Sequence, residues 1–76
     1  MKRDNITQRV IDIVSTKLVA SDITATSVFY DLGADSLDQV EIFMEVEDQF
    51  SFHIPNDDMD SLKTVKDVVD YIEEHT

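Results

Sequence analysis

The sequence contains no cysteine. That excludes a disulfide framework and a thiolate metal site, so any thiol chemistry must come from a group attached to the chain. No apolar run approaches the roughly 20 residues needed to span a bilayer. The opening stretch, MKRDNITQRV, has early basic residues but lacks the apolar segment of a signal peptide. The chain therefore reads as soluble and cytoplasmic. Bases are scarce, six against 17 acids, and neither Lys nor Arg occurs between Lys17 and Lys63. Glycine occurs once, at Gly33, and proline once, at Pro55.

Acid is what the chain has in quantity. The net charge is −11, and residues 31–60 carry −10 of it through Asp31, Asp35, Asp38, Glu41, Glu45, Glu47, Asp48, Asp57, Asp58 and Asp60. Such a concentration repels the compact state and disfavours nucleic acid and anionic membranes as partners. A basic protein surface is favoured instead. With 76 residues and 42% hydrophobic content, residues 1–76 are expected to form one small folded domain.

The helical period dominates. Ile6, Val10, Ile13 and Val14 form one stripe, with Leu18 beside it, and Asn5 with Gln8 resembles a capping pair, so a first helix is expected over about residues 5–19. Residues 20–35 lack a period and form a long loop, pinned by Val28, Phe29 and Leu32, with Gly33 at a positive φ. A second helix is expected from 36 to about 50. Pro55 biases His53 and Ile54 toward extended backbone, and NDDMDS suggests a short helical turn. Thr64 with Asp67 signals a cap for a last helix over about 65–75, its apolar stripe being Val65, Val68, Val69 and Ile72. No strand pattern is present. The expected fold is all-α, a small bundle of three principal helices and one short one.

The second helix has two apolar faces. Ile42, Phe43, Val46 and Phe50 make a charge-free core face. At 100° per residue, Leu37, Val40, Glu41, Met44, Glu47 and Asp48 fall on the other side. A core would not tolerate those carboxylates, so this stripe is expected at the surface. An adaptable Met-containing stripe rimmed by one sign of charge suits contact with several basic partners.

Ser36, at the head of that helix, has three readings. With Gln39 it fits a capping box, although Asp35 with Asp38 competes for the same role. As a nucleophile it would need a base and oxyanion donors, yet only His53 and His75 are available, Gly33–Leu37 is not a G-x-S-x-G elbow, and the nearby carboxylates oppose an oxyanion. As a modification site it would place a phosphodiester at a helix N-terminus, favoured by the dipole and repelled by Asp35 and Asp38, leaving the group loosely held.

DLGADSLDQVEIFMEVEDQF closely resembles the prosthetic-group segment of acyl carrier proteins of type II fatty acid synthesis, in the bacterial and mitochondrial branch. The motif D-x-G-x-D-S-L is met by Asp31, Gly33, Asp35, Ser36 and Leu37, and Ile54-Pro55 and TVKDVVDYIEEH extend the likeness. The resemblance implies a four-helix carrier without catalytic residues or a metal. It implies 4′-phosphopantetheine on Ser36, derived from coenzyme A, with growing fatty acyl chains held as thioesters. It further implies a partner-binding helix using Asp35, Leu37, Asp38, Val40, Glu41, Met44, Glu47 and Asp48. The partners would be a phosphopantetheinyl transferase and fatty acid synthesis enzymes with basic docking surfaces, met by a monomer. Tyr30 stands where the family often has an acid, the loop lacks an additional glycine, and Ser51 and His53 occupy variable positions.

Two remaining patterns lead elsewhere. Asn56, Asp58, Asp60 and Asp67 superficially follow a calcium loop, but Ser61 occupies the glycine position and the twelfth residue is not Glu. Phe29, Phe43, Phe50, Phe52, Ile54, Met59, Leu62, Val65, Val69 and Ile72 are expected in the core, some of them beside an acyl chain.

Overall fold

The computed structural model describes residues 2–20 and 22–75, so Ser21 of the expected loop and both terminal residues of the expected domain lie outside it. Four helices follow in order: α1 (Arg3–Lys17), α2 (Ser36–Phe50), α3 (Asn56–Met59) and α4 (Val65–His75). The three longer ones are those expected from the apolar periods, and the short α3 is the turn expected at NDDMDS.

α1 begins earlier than its sequence suggests. Asn5 lies inside the helix and caps nothing; Lys2 occupies the N-cap position without a side-chain bond, its carbonyl accepting from the Asn5 and Ile6 amides at 3.0 and 3.1 Å. Gln8 donates to Asp12 one turn on, at 2.9 Å. The extra turn is held from outside. The Arg3 guanidinium pairs with Asp70 of α4 at 2.7 Å and with Glu73, which raises its pKa, the Asp70 hydrogen bond being the larger cause. Asp70 is held below the usual carboxylate range by Lys66 first and then Arg3.

The core is one cluster. Ile6, Val10, Ile13 and Val14 of α1 meet Ile42, Phe43 and Val46 of α2 and Val65, Val68, Val69 and Ile72 of α4, with Leu18, Phe29, Ala34, Ile54 and Leu62 closing the gaps. Phe50, Phe52 and Met59 are only partly buried against it. No polar or charged side chain is buried among the described residues, so desolvation of charge opposes folding little.

The long loop is tied across the molecule to the chain preceding α4. Phe29 N–H donates to the Lys63 carbonyl at 3.0 Å, Val65 N–H to Ser27 at 3.2 Å and Lys66 N–H to Ala25 at 2.8 Å. These bonds form an isolated antiparallel bridge between Val28 and Thr64, and no strand develops among the described residues. Phe29 enters the core and meets Phe43 edge to face, centroids 5.9 Å apart, a preferred aromatic geometry. α4 starts with the expected reciprocal cap: Asp67 N–H donates to Thr64 Oγ1 and Thr64 N–H to Asp67 Oδ2, both at 3.1 Å.

At the other end Tyr71 stacks on His75, centroids 4.0 Å apart, and donates its hydroxyl to Asp58 Oδ2 at 2.7 Å. That bond attaches α3 to α4. Burial, reinforced by the Asp58 carboxylate, pushes the Tyr71 phenol up to about 12.

Candidate functional site

The head of α2 is positioned by three consecutive residues with different tasks. Gly33 adopts φ 90° and ψ 10° and closes a 3₁₀ turn over Tyr30–Leu32, its N–H donating to the Tyr30 carbonyl at 3.1 Å. This is the left-handed region in which a Cβ is penalised. Ala34 is then buried and donates to the Phe29 carbonyl at 3.1 Å. Asp35 follows in extended backbone and caps the helix. Asp38 N–H donates to Asp35 Oδ1 at 2.9 Å, and Asp35 N–H donates to Asp38 Oδ2 at 3.3 Å.

This geometry settles which residue caps. A carboxylate is a stronger acceptor than a hydroxyl at the positive end of a helix, and Asp35 holds the position. The Ser36–Gln39 box does not form; Gln39 Nε2 reaches back to the Ala34 carbonyl at 3.4 Å. Ser36 is the first helical residue. Its side chain is exposed and its hydroxyl makes no hydrogen bond among the described residues. His53 Nδ1 sits 2.8 Å from Glu47 Oε2 and His75 Nδ1 lies 2.8 Å from the Tyr71 carbonyl, so both imidazoles are engaged away from this serine.

The two-faced character of α2 is present in three dimensions. Leu37, Val40 and Met44 are 66, 41 and 55% exposed, whereas Ile42, Phe43 and Val46 are buried. Asp35, Glu41 and Asp48 stand exposed around the apolar stripe, and Asp38 is half-buried by its capping role. Glu47 departs from the expected row. Its side chain is only 17% exposed, and its carboxylate accepts the Ile54 N–H at 2.6 Å. The reason lies past the end of the helix. Ser51 takes a left-handed conformation, φ 57°, which turns the chain back along α2. The amide of the buried Ile54 then needs an acceptor, and Glu47 supplies it.

Other features of the site carried no signal in the local sequence. Lys17, from the end of α1, borders the acidic face beside Glu41, Met44, Glu45 and Asp48 in a groove of 330 Å³, its ammonium 4.0 Å from Glu45. Val28, Tyr30, Gln39 and Lys63 line a second, half-open pocket of 250 Å³. Both combine residues far apart in the chain. Asp58 and Asp67, read above as parts of a superficial calcium-loop pattern, are used by Tyr71 and by the cap of α4. Among the described residues no group of three or more His, Cys, Asp or Glu side chains is placed to hold a metal ion. No helix there is long and apolar enough to cross a membrane.

Comparison with known proteins agrees with this arrangement. A family model for the phosphopantetheine attachment site matches residues 8–72. An acyl carrier protein of Porphyromonas gingivalis is 47% identical over 73 residues, covering 92% of this chain and 94% of its own length. The chain belongs to the acyl carrier protein family. An acyl carrier protein of Clostridium perfringens is 48% identical over 68 residues, 86% of this chain and 90% of its own length. One of Azobacteroides pseudotrichonymphae is 47% identical over 74 residues. As a member of the acyl carrier protein family the chain is a carrier and not a catalyst, and its cofactor is phosphopantetheine. The head of α2 fits that group: an exposed hydroxyl free of internal bonds stands at a helix N-terminus, where unpaired N–H groups favour an anion.

Proposed function

We propose that Ser36 carries the 4′-phosphopantetheine arm and that the arm's thiol holds growing fatty acyl chains as thioesters. The observation that carries this reading is the free, exposed Ser36 hydroxyl, released from capping by the Asp35–Asp38 box. Loading forms a bond from Ser36 Oγ to the pantetheine-bearing phosphorus of coenzyme A. The pyrophosphate bond breaks, the adenosine bisphosphate leaves and the hydroxyl proton passes to solvent or a base on the transferase. The chain has no thiol of its own, so the thioester must form on the arm.

Residues 1–76 act as one carrier domain. Leu37, Val40 and Met44 supply an adaptable apolar contact, and Asp35, Asp38, Glu41 and Asp48 steer basic docking surfaces toward it. Glu47 contributes by fixing the turn after α2. The partners are a phosphopantetheinyl transferase and the enzymes of fatty acid synthesis, met in the cytoplasm by a monomer. A tether on Ser36 raises the effective concentration of cargo at whichever enzyme is docked.

Intact mass after incubation with coenzyme A and a phosphopantetheinyl transferase tests the attachment. The expected result is a gain of one phosphopantetheine that disappears in Ser36→Ala. No gain, or the same gain in the variant, overturns it.

A further inference from the structure

Lys63 is the one Lys or Arg between Lys17 and Lys66, and it follows closely on the acid-rich segment 31–60. Its backbone is fixed on both sides: its carbonyl accepts from Phe29, and its N–H donates to Asp67 at 3.0 Å. Its ammonium, by contrast, has no ion pair or hydrogen bond among the described residues. The neighbouring Asp67 carboxylate is occupied by the Lys63 and Thr64 amides.

With Val28, Tyr30 and Gln39, this lysine lines the 250 Å³ pocket. Gln39 lies three residues after Ser36 on α2, and residues at that spacing are neighbours on one helix face, roughly 5–6 Å apart at Cβ. The pocket therefore begins about one turn from the serine. Its walls are mixed: methyl groups from Val28, a ring and hydroxyl from Tyr30, an amide from Gln39 and a positive charge from Lys63. Tyr30 is 80% exposed, so its ring is accessible to a group lying in the pocket. At about 30 Å³ per water the space corresponds to about eight water molecules, enough for a segment of a flexible arm and too little for a long acyl chain.

We infer that this pocket is a resting site for the arm on Ser36, in which Lys63 pairs with an anionic group carried by the arm. This rests on the attachment proposed above. Val28 and Tyr30 cover its methyl-bearing part, and the Gln39 amide and the Tyr30 hydroxyl bond its peptide-like groups. Asp35 and Asp38 repel a phosphodiester at its root, and Lys63 gives the arm a favourable place to lie when no enzyme holds it. The anion has two sources, the phosphodiester itself or a terminal carboxylate on a dicarboxylic thioester cargo.

The test uses the full chain loaded with an isotope-labelled arm, its mass checked first, and measures proton NOEs from the arm to Val28 and Tyr30. The unloaded thiol form carries only the phosphodiester, and a malonyl-loaded form adds a carboxylate. Contacts of equal strength in both forms support the inference with the phosphodiester as the anion; contacts confined to the malonyl form support it with the cargo carboxylate. Lys63→Gln is expected to reduce the docked-to-free ratio about 1.4- to fivefold, the range of one exposed charge pair, and Lys63→Arg to restore it. A correct mass gain without arm contacts in either form overturns the inference and leaves attachment at Ser36 standing. Contacts unchanged in Lys63→Gln overturn it as well, whereas failure of the mass gain overturns attachment and the resting site together.

Discussion

Glu41 and Glu47 are the same residue type on the same helix, and replacing each by Ala should have opposite consequences. Glu47 accepts the amide of Ile54, a residue with no exposed surface, at 2.6 Å. Removing the carboxylate leaves that donor unpaired at the edge of the core, at a cost of about 1–3 kcal/mol. In a domain of this size each kcal/mol lowers Tm by about 4–8 °C, so Glu47→Ala should melt at least about 4 °C lower. Little of this comes from His53, whose ring is 81% exposed, and exposed ion pairs contribute about 0–1 kcal/mol. Glu47→Gln keeps an acceptor for the amide and should avoid most of the loss. Glu41 is exposed and makes no ion pair or hydrogen bond among the described residues. Glu41→Ala should therefore stay within about 0.5 kcal/mol of the parent while slowing association with a basic partner. Thermal melts at pH 7 by circular dichroism give the first quantity, and stopped-flow binding to a phosphopantetheinyl transferase gives the second. Equal melting of the two alanine variants, or a larger association defect in Glu47→Ala, would refute the division of roles.

Three further outcomes follow from the same geometry. Gly33→Ala meets no atom within 4 Å of the new Cβ, but φ is 90°, so denaturant melts should show only the backbone penalty of about 1–2 kcal/mol; a much larger loss would mean hidden steric contact. Asp48→Lys should slow partner association more than it changes the unfolding midpoint, and added salt should shrink the difference because exposed charges are screened over about 8 Å at physiological ionic strength; salt-independent rates would contradict steering. The folded pKa of Tyr71 lies above the ordinary value of 10.0, at about 12, so its contribution to stability is complete below pH 10 and lost as pH rises toward 12. In a Tyr30→Phe background the tyrosinate absorbance should rise near pH 12, and a midpoint at 10 would show that the burial of the phenol and its Asp58 bond are both lost in solution.

The helices that the sequence made legible are those whose signals are local. α2 and α4 fall where periodicity and the Thr64–Asp67 cap placed them, because i, i+3 and i+4 neighbours carry that information within one turn. The start of α1 was misplaced because Arg3 is held by Asp70 and Glu73, at the far end of the chain. Glu47 was assigned to the docking row because its helical angle points there, while its hydrogen-bond partner lies beyond a left-handed turn at Ser51 that no glycine announces.

By itself the sequence determined the carrier motif around Ser36, the two faces of α2, the need for a positive φ at Gly33 and the concentration of acid in residues 31–60. These depend on residue type and short spacing. Only the tertiary structure decided that Asp35 caps and leaves the Ser36 hydroxyl free, that Glu47 serves the fold, and that Lys63 shares a pocket with Val28, Tyr30 and Gln39. The cap is a contest among Asp35, Ser36, Asp38 and Gln39 within one turn that spacing alone leaves tied, whereas the Glu47 bond and the Lys63 pocket depend on groups that only the folded chain brings together.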